Sequence, residues 1–408
     1  MLPVSKNSRR VAWVAVGLLW FVALLNYLDR LVITTMHDSV VSSIPMTEAQ
    51  FGLLSSVFLW VYGILSPTCG FLADRFSRRR VIFVSLLVWS LVTWATGHAQ
   101  TFQQLFWARA AMGVSEACYL PAALALIADH HRKHTRSFAT ALHGTGIYAG
   151  GALGGIGGYL AETIGWRSGF TLLGGVGIGY ALVLLVFLKD ATEPPADDPR
   201  DSSPAAIKPM HALRALFSVP AFSVMMLVNS VVGVTNWTIY GWLPTYFREQ
   251  FSLSQSEAGF AATVVLQLAS FIGIMGGGLL ADKLSRRSNR ARMLMPGFGY
   301  LLAAPAILVL ANTGNLTFAL VGLGLYGLAR GFFDANLMPI VRQTVSERYS
   351  ATAYGFLNLI GCVTGGAMTY FGGALRDAHI SLSIVFELCA GGIFIAALLL
   401  LFLRPKHQ

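Results

Sequence analysis

Twelve apolar stretches, each about 20–30 residues long and separated by short polar connections, run from one end of this chain to the other. No other feature constrains the fold as much. In hydrocarbon every backbone N–H and C=O needs an internal partner, so a stretch of ~20 apolar residues reads as a membrane-crossing helix. The candidate helices cover roughly 11–36, 50–72, 80–98, 102–129, 138–162, 168–188, 216–247, 257–281, 292–312, 315–345, 351–374 and 381–403. Composition agrees, because 55% of the 408 residues are hydrophobic and only 12% are charged, against ~25% charged in soluble domains. Twelve spans use nearly all of the length. The chain is therefore predicted to be an all-α membrane protein with no sizeable soluble domain.

The net charge of +10 reports topology and not a nucleic-acid surface. Of the 29 Lys and Arg, 23 fall in alternate connections and the two tails, three (Arg167, Arg248, Arg376) lie in the other connections, and three (Arg30, Arg109, Arg330) lie within spans. This asymmetry is the positive-inside pattern and predicts cytoplasmic termini. The basic and then apolar N-terminus reads as a retained first helix, since its apolar run is too long for a leader and has no small-residue cleavage site. Cys69, Cys118, Cys362 and Cys389 sit in apolar contexts without paired spacing, which argues against a disulfide framework or a metal site.

The one long polar interval, 189–214, has EPPADDPRDSSP at its centre and cannot bury a core. It divides the chain into an N-terminal six-helix bundle (1–188), a cytoplasmic linker (189–214) and a C-terminal six-helix bundle (215–408). The two halves repeat. GFLADRFSRRR at 70–80 is answered by GLLADKLSRR 208 positions later, and RSFATAL at 136–142 by RYSATAY 212 positions later. A looser match sets LFWARAAMG around Arg109 beside YGLARGFFD around Arg330. Parallel six-helix repeats describe a two-bundle secondary transporter.

The loop G-x-x-x-D-[RK]-x-x-R-[RK], between helices 2 and 3 and again between 8 and 9, resembles the signature of the major facilitator superfamily. The resemblance implies twelve helices in two pseudo-symmetric bundles and makes Asp74, Arg75, Asp282 and Lys283 gating candidates. Chemically, the aspartates are suited to capping helix N-termini and the basic residues to forming removable charge pairs.

Charges inside the spans need a reason, because each costs roughly 2.5–3.5 kcal/mol at the centre of a helix. Helix 1 carries Asp29 and Arg30, helix 4 carries Arg109 and Glu116, and helix 10 carries Arg330 and Asp334. Adjacent residues point about 100° apart, so Asp29 and Arg30 cannot share one target. Arg330 and Asp334 are one turn apart and can pair directly; a structural pair and a functional one both remain open.

Tyr27-Leu28-Asp29-Arg30, Trp60-Val61-Tyr62, and Arg109 followed by Glu116 resemble the organic anion:cation symporters, a group that includes galactonate and hexuronate transporters and sialin-like carriers. That resemblance implies that Arg30 binds a substrate carboxylate with Tyr27 and Tyr62 lining the site. It also implies that Asp29 interacts with Arg109 and that Glu116 is the protonatable coupling residue. The chemistry is compatible: arginine grips a carboxylate through parallel hydrogen bonds, and a carboxyl group in an apolar helix is poised to exchange a proton.

On helix 7, Pro244 is expected to kink or break the helix, while Asn236, Trp237 and Tyr240 offer amide and aromatic surfaces for a polyol. An outer aromatic belt would equally explain Trp242 and Tyr246. Asn358 and Gln267 are further cavity candidates. These features predict a monomeric secondary transporter of a small organic anion such as an aldonate, hexuronate or sialate, in a bacterial inner membrane. It would need no cofactor beyond a coupling ion, with the proton expected and sodium left open. A spinster-like carrier of lysolipid or sphingolipid is the alternative, since those proteins share the charges on helices 1 and 4. A sensor would need a soluble signalling domain. An enzyme would need a metal cluster, phosphate loop or nucleophile elbow, and none stands in the sequence.

Overall fold

A computed structural model describes residues 6–131, 133–191, 209–286, 288 and 290–403. Most of the expected linker, 192–208, lies outside the described residues. Among the described residues there are twelve long helical columns and no strand. They are α1 (Lys6–Leu31, continued by a 3-10 turn Val32–Met36 and by His37–Ser43), α2 (Glu48–Arg75), α3 (Arg78–Thr96), α4 (Phe102–Ala117 and Tyr119–His130), α5 (Lys133–Leu153 and Ile156–Thr163) and α6 (Trp166–Phe187). After a short helix at Pro209–Phe217 come α7 (Pro220–Phe251), α8 (Gln255–Ser285), α9 (Ala291–Asn312), α10 (Leu316–Thr344), α11 (Ser350–Asp377) and α12 (Leu382–Phe402). Ten of these columns are long and apolar enough to cross a membrane. The other two, α5 and α11, are rich in glycine and face the opposite half.

The internal repeat reappears as packing. In the first six helices α1 lies on α5, α2 on α4 and α3 on α6; in the second six α7 lies on α11, α8 on α10 and α9 on α12. Each pairing recurs six helices later, which is what two copies of one bundle require. The halves then meet along α2 against α11 and α5 against α8. Glycine permits the close approach: a Cβ on Gly52 would lie 2.5 Å from the Thr369 carbonyl, and one on Gly366 2.7 Å from Trp60 Nε1.

Two columns break beside the charges they carry. After Arg30 the β-branched run Val32-Ile33-Thr34-Thr35 tightens into the 3-10 turn, with the Thr34 and Thr35 hydroxyls donating back to the Leu31 and Val32 carbonyls. After Glu116 the α4 column steps at Cys118, because Pro121 has no N–H to offer the Ala117 carbonyl four residues earlier. Pro244, by contrast, does not break α7, which runs unbroken from Pro220 to Phe251. Nor do Trp242 and Tyr246 form a belt. Both are buried, with Trp242 Nε1 donating to the Thr369 carbonyl at 2.9 Å and the Tyr246 hydroxyl to that of Ala311 at 2.9 Å. All four cysteines are free thiols, although Cys69 and Cys118 meet at 2.6 Å between α2 and α4, a proximity their spacing did not suggest.

The two halves are latched at the end opposite the basic connections. Arg376 makes two hydrogen bonds to Glu249, at 2.9 and 2.8 Å, and a third to Glu48 at 3.2 Å in the other half. Arg248 reaches Asp38 at 2.6 Å, and His37 sits between Asp38 and Glu48 at 2.8 and 2.9 Å. Asp377 accepts from the backbone N–H groups of Glu48 and Ala49, both at 2.9 Å, and so caps α2 from across the interface. At the basic end, Asp190 caps α3 through the Arg79 N–H and Asp282 pairs with Arg292 at 2.5 Å, each contact lying within one half.

Candidate functional site

Arg30 lies at the meeting point of the halves, 5% exposed, on a cleft lined from both of them. Its Nε donates to Glu116 Oε2 at 2.7 Å. The guanidinium carbon stands 4.3 Å from the Tyr62 ring centre, 4.9 Å from that of Tyr27 and 5.2 Å from that of Phe58, an aromatic cage well suited to a cation. Neither terminal nitrogen of Arg30 has a hydrogen-bond partner among the described residues. They border a narrow cleft that Arg30 and Arg109 share with Phe58 from one half and Trp237, Tyr240 and Thr369 from the other. An edge of arginine is thus held in place by an internal acid while the fork beyond it stays available.

Glu116 is fully buried, and only one of its oxygens is satisfied. Oε1 makes no hydrogen bond of ordinary geometry among the described residues, nor does the Asn26 amide nitrogen, although the Asn26 side chain lies within reach of this carboxylate. A buried carboxylate oxygen without a donor is an unusual thing to leave in a protein interior. It is also a natural place for a proton to sit.

Asp29 and Arg30 diverge as their helical spacing requires. Asp29 turns toward α3, where the Thr93 hydroxyl approaches its carboxylate at 3.5 Å. The expected Asp29–Arg109 pairing takes a different form. Arg109 Nη1 donates to the backbone carbonyl of Asp29 at 3.4 Å, Nη2 to that of Arg30 at 3.4 Å and Nε to that of Leu54 at 3.4 Å, with no ion pair to the carboxylate. The reason lies in the break of α1: past Leu31 the 3-10 turn cannot supply regular helical donors to the carbonyls of the last turn, and Arg109 takes their place. Arg109 therefore braces the segment that carries Arg30.

The opposite half carries a second charged group. Arg330 Nη1 donates to the Tyr240 hydroxyl at 2.6 Å, and its Nε faces Asp334 at 3.5 Å. Gln267 Nε2 also donates to the Tyr240 hydroxyl, at 2.7 Å, and Tyr148 reaches Asp334 across the interface at 3.4 Å. The Asp334 side chain, deep along α10, is still 31% exposed, and Tyr354 on α11 is 44% exposed.

The remaining sequence candidates are scattered. Trp237 and Tyr240 line the cleft, whereas Asn236 does not, although its Oδ1 is buried and unpartnered among the described residues. Asn358 is half-buried on α11 and makes no side-chain hydrogen bond among the described residues. Arg75, Asp282 and Lys283 are exposed at the basic end, while the Asp74 side chain lies outside the described residues. The cluster His37, Asp38, Glu48, Arg248, Glu249, Arg376 and Asp377 escaped sequence reading because its members come from four different helix ends. The only hint was an excess of charge at the otherwise uncharged end.

A twelve-helix, two-bundle membrane protein with paired charges on the seam defines a solute-transporter class. Residues 19–370 match the Major Facilitator Superfamily, and the chain belongs to that family. Among its relatives is the probable galactarate/D-glucarate transporter GudP of Escherichia coli (strain K12), 25% identical over 89% of this chain and 86% of that protein. The probable L-galactonate transporter of the same organism is 24% identical over 98% and 90%. Protein spinster of Drosophila melanogaster is 27% identical over 90% of this chain and 62% of its own length. Among solved structures, a bacterial homolog to the human lysosomal transporter spinster, inward-facing and unoccupied, matches with a TM-score of 0.80 at 23% identity, covering 99% of this chain and 100% of that one.

Proposed function

We propose that this protein is a proton-coupled symporter of a small organic anion, a sugar acid of the aldonate, hexuronate or aldarate kind. In this reading the bundles 1–188 and 215–408 rock about the seam in a bacterial inner membrane. The basic end and both termini face the cytoplasm, and one chain suffices. One observation carries the reading: Arg30 is held by an internal carboxylate through Nε alone, while its open fork borders a cleft lined by both halves.

A substrate carboxylate and Glu116 compete for the same guanidinium. Protonating Glu116 weakens its hold and replaces one charge with another, so that Arg30 never stands unpaired in a site of low dielectric. Tyr27 and Tyr62 keep Arg30 in position, Arg109 braces the helix break behind it, and Trp237 and Tyr240 present an amphipathic wall to a polyol. The acidic and basic groups of the far-end latch close the outer gate, and the motif residues Asp74, Arg75, Asp282 and Lys283 are assigned to the cytoplasmic one.

The likeness to spinster supports a second reading, transport of a lysolipid. The two arginines together with Thr34, Ser55, Tyr240 and Thr369 on the lining of the cleft favour the sugar acid. Uptake into proteoliposomes under an inward proton gradient tests the choice. Accumulation of an aldonate, hexuronate or aldarate that is lost in Arg30→Gln supports the proposal. Competition by lysophospholipid, with no response to any sugar acid, overturns it.

A further inference from the structure

The latch at the end opposite the basic connections holds a histidine in an arrangement that a neutral ring does not satisfy. His37 is 7% exposed, and each of its ring nitrogens faces a carboxylate. Nδ1 lies 2.8 Å from Asp38 Oδ1, and Nε2 lies 2.9 Å from Glu48 Oε2. A neutral imidazole has one N–H and one lone pair, so one of these contacts would set a lone pair against an anionic oxygen. Two protons on the ring turn both contacts into charge-assisted hydrogen bonds. The carboxylates are a poor place for the second proton, because each also meets an arginine of the other half. Arg248 Nη2 stands 2.6 Å from Asp38 Oδ2, and Arg376 Nε donates to Glu48 Oε2 at 3.2 Å.

The surroundings of the ring point the same way. The α1 column contributes Asp38, and α2 contributes Glu48 and the Phe51 ring at 4.5 Å. From α7 come Trp242 at 6.1 Å, Arg248 and Glu249, and from α11 come Arg376 and Asp377. On the α8 side stands the neutral Gln255, which donates to the Ser39 hydroxyl. The described cluster thus sets four carboxylates against two guanidiniums, and an imidazolium is its third cation. We propose that His37 is a proton-binding site of the latch, doubly protonated while the latch is closed. Loss of that proton breaks one of the two contacts. The Glu48 contact is the one free to part, since Asp38 is the chain neighbour of His37 whereas Glu48 begins another helix. Glu48 is also the group that Arg376 holds from the other half, so deprotonation loosens the clasp between the bundles. Acid closes this end and alkali frees it, whatever solute the protein carries.

Nuclear magnetic resonance of the purified full-length protein, isotope-labelled at the imidazole nitrogens, reads how many protons each ring holds, and His37→Gln identifies the signal of His37. That ring should keep both protons at about pH 7.5, roughly one unit above the point where an ordinary histidine loses the second. Spin labels on cysteines introduced at the exposed Ser42 and Ala378, one in each half at this end, give the separation of the bundles by pulsed electron resonance. In a Glu116→Gln background, where Glu116 does not titrate, the ratio of short to long separations should fall about 10- to 100-fold between about pH 6 and pH 9. His37→Gln should hold that ratio low and flat across the range. Glu48→Gln, which removes the anion facing Nε2, should cost His37 its second proton and flatten the same profile, and serves if His37→Gln does not fold. A single ring proton on His37 at about pH 7.5 overturns the site. So does a separation that ignores pH while His37 is present, or a pH response that survives in His37→Gln. Each of these outcomes leaves the sugar-acid reading standing.

Discussion

Replacing Glu116 with glutamine keeps the shape of the side chain and removes the charge that competes for Arg30. The contact removed is one charge-assisted hydrogen bond of 2.7 Å between side chains 4% and 0% exposed, so solvent does little to screen it. Such a bond contributes about 1.5–3 kcal/mol, or about 10- to 100-fold in a binding constant. In the unmodified protein, raising the pH ionises Glu116 and strengthens its hold on Arg30, so affinity for a sugar acid should fall as pH rises. In Glu116→Gln the competitor is absent at every pH. Affinity should then be flat, equal to that of the unmodified protein in acid, and about 10- to 100-fold tighter than it in alkali. Calorimetric titration of purified protein between about pH 5.5 and 8.5, where the substrate carboxylate stays ionised, reads this directly. Proteoliposomes carrying the variant should exchange substrate yet fail to accumulate it under a proton gradient. A variant whose affinity declines with pH in parallel with the unmodified protein would refute the competition for Arg30.

Other substitutions probe the seam and the brace. Arg376→Ala removes contacts to both Glu249 and Glu48, and should raise labelling, from the latched side, of a cysteine placed at Ser55, which lines the Arg30 cleft, by about tenfold; unchanged labelling would show that the latch does not hold the gate. Gly366→Leu should act in the same sense, because even its Cβ meets the Trp60 indole at 2.7 Å when the outer face is closed. Its expected signature is loss of exchange together with outer-face accessibility, against which normal exchange would count. Arg109→Lys exchanges a fork spanning three carbonyls for a point charge, and should cost about 2–3 kcal/mol of stability, seen as a lower Tm in detergent. An unshifted Tm would mean that the helix break needs no brace.

The architecture was legible because hydrocarbon leaves few options: twelve apolar runs and a repeat offset of 208 positions led to twelve columns whose pairings recur six helices later. What sequence could not supply was who pairs with whom. Helical spacing gave the divergence of Asp29 from Arg30, but the partner of Arg109 depended on the carbonyls exposed by the break after Leu31, a tertiary circumstance. Pro244 does not break α7 because a proline inside a long, buried helix is tolerated when neighbouring helices hold it, and 17 residues of that helix are buried. Trp242 and Tyr246 misled for a related reason. An aromatic residue near a helix end looks the same in sequence whether its polar tip meets lipid headgroups or, as here, a carbonyl of α11 or α9. The latch at the end opposite the basic connections was invisible because its members are ordinary loop-edge charges until α1, α2, α7 and α11 converge.

Whether the first helix's guanidinium trades one carboxylate for another can be followed by counting protons. Mixing substrate with purified protein in weakly buffered solution at alkaline pH should draw about one proton from the medium for each anion bound, and none in Glu116→Gln. Binding without proton uptake in the unmodified protein, or uptake that survives in the variant, would contradict the exchange on which this account stands.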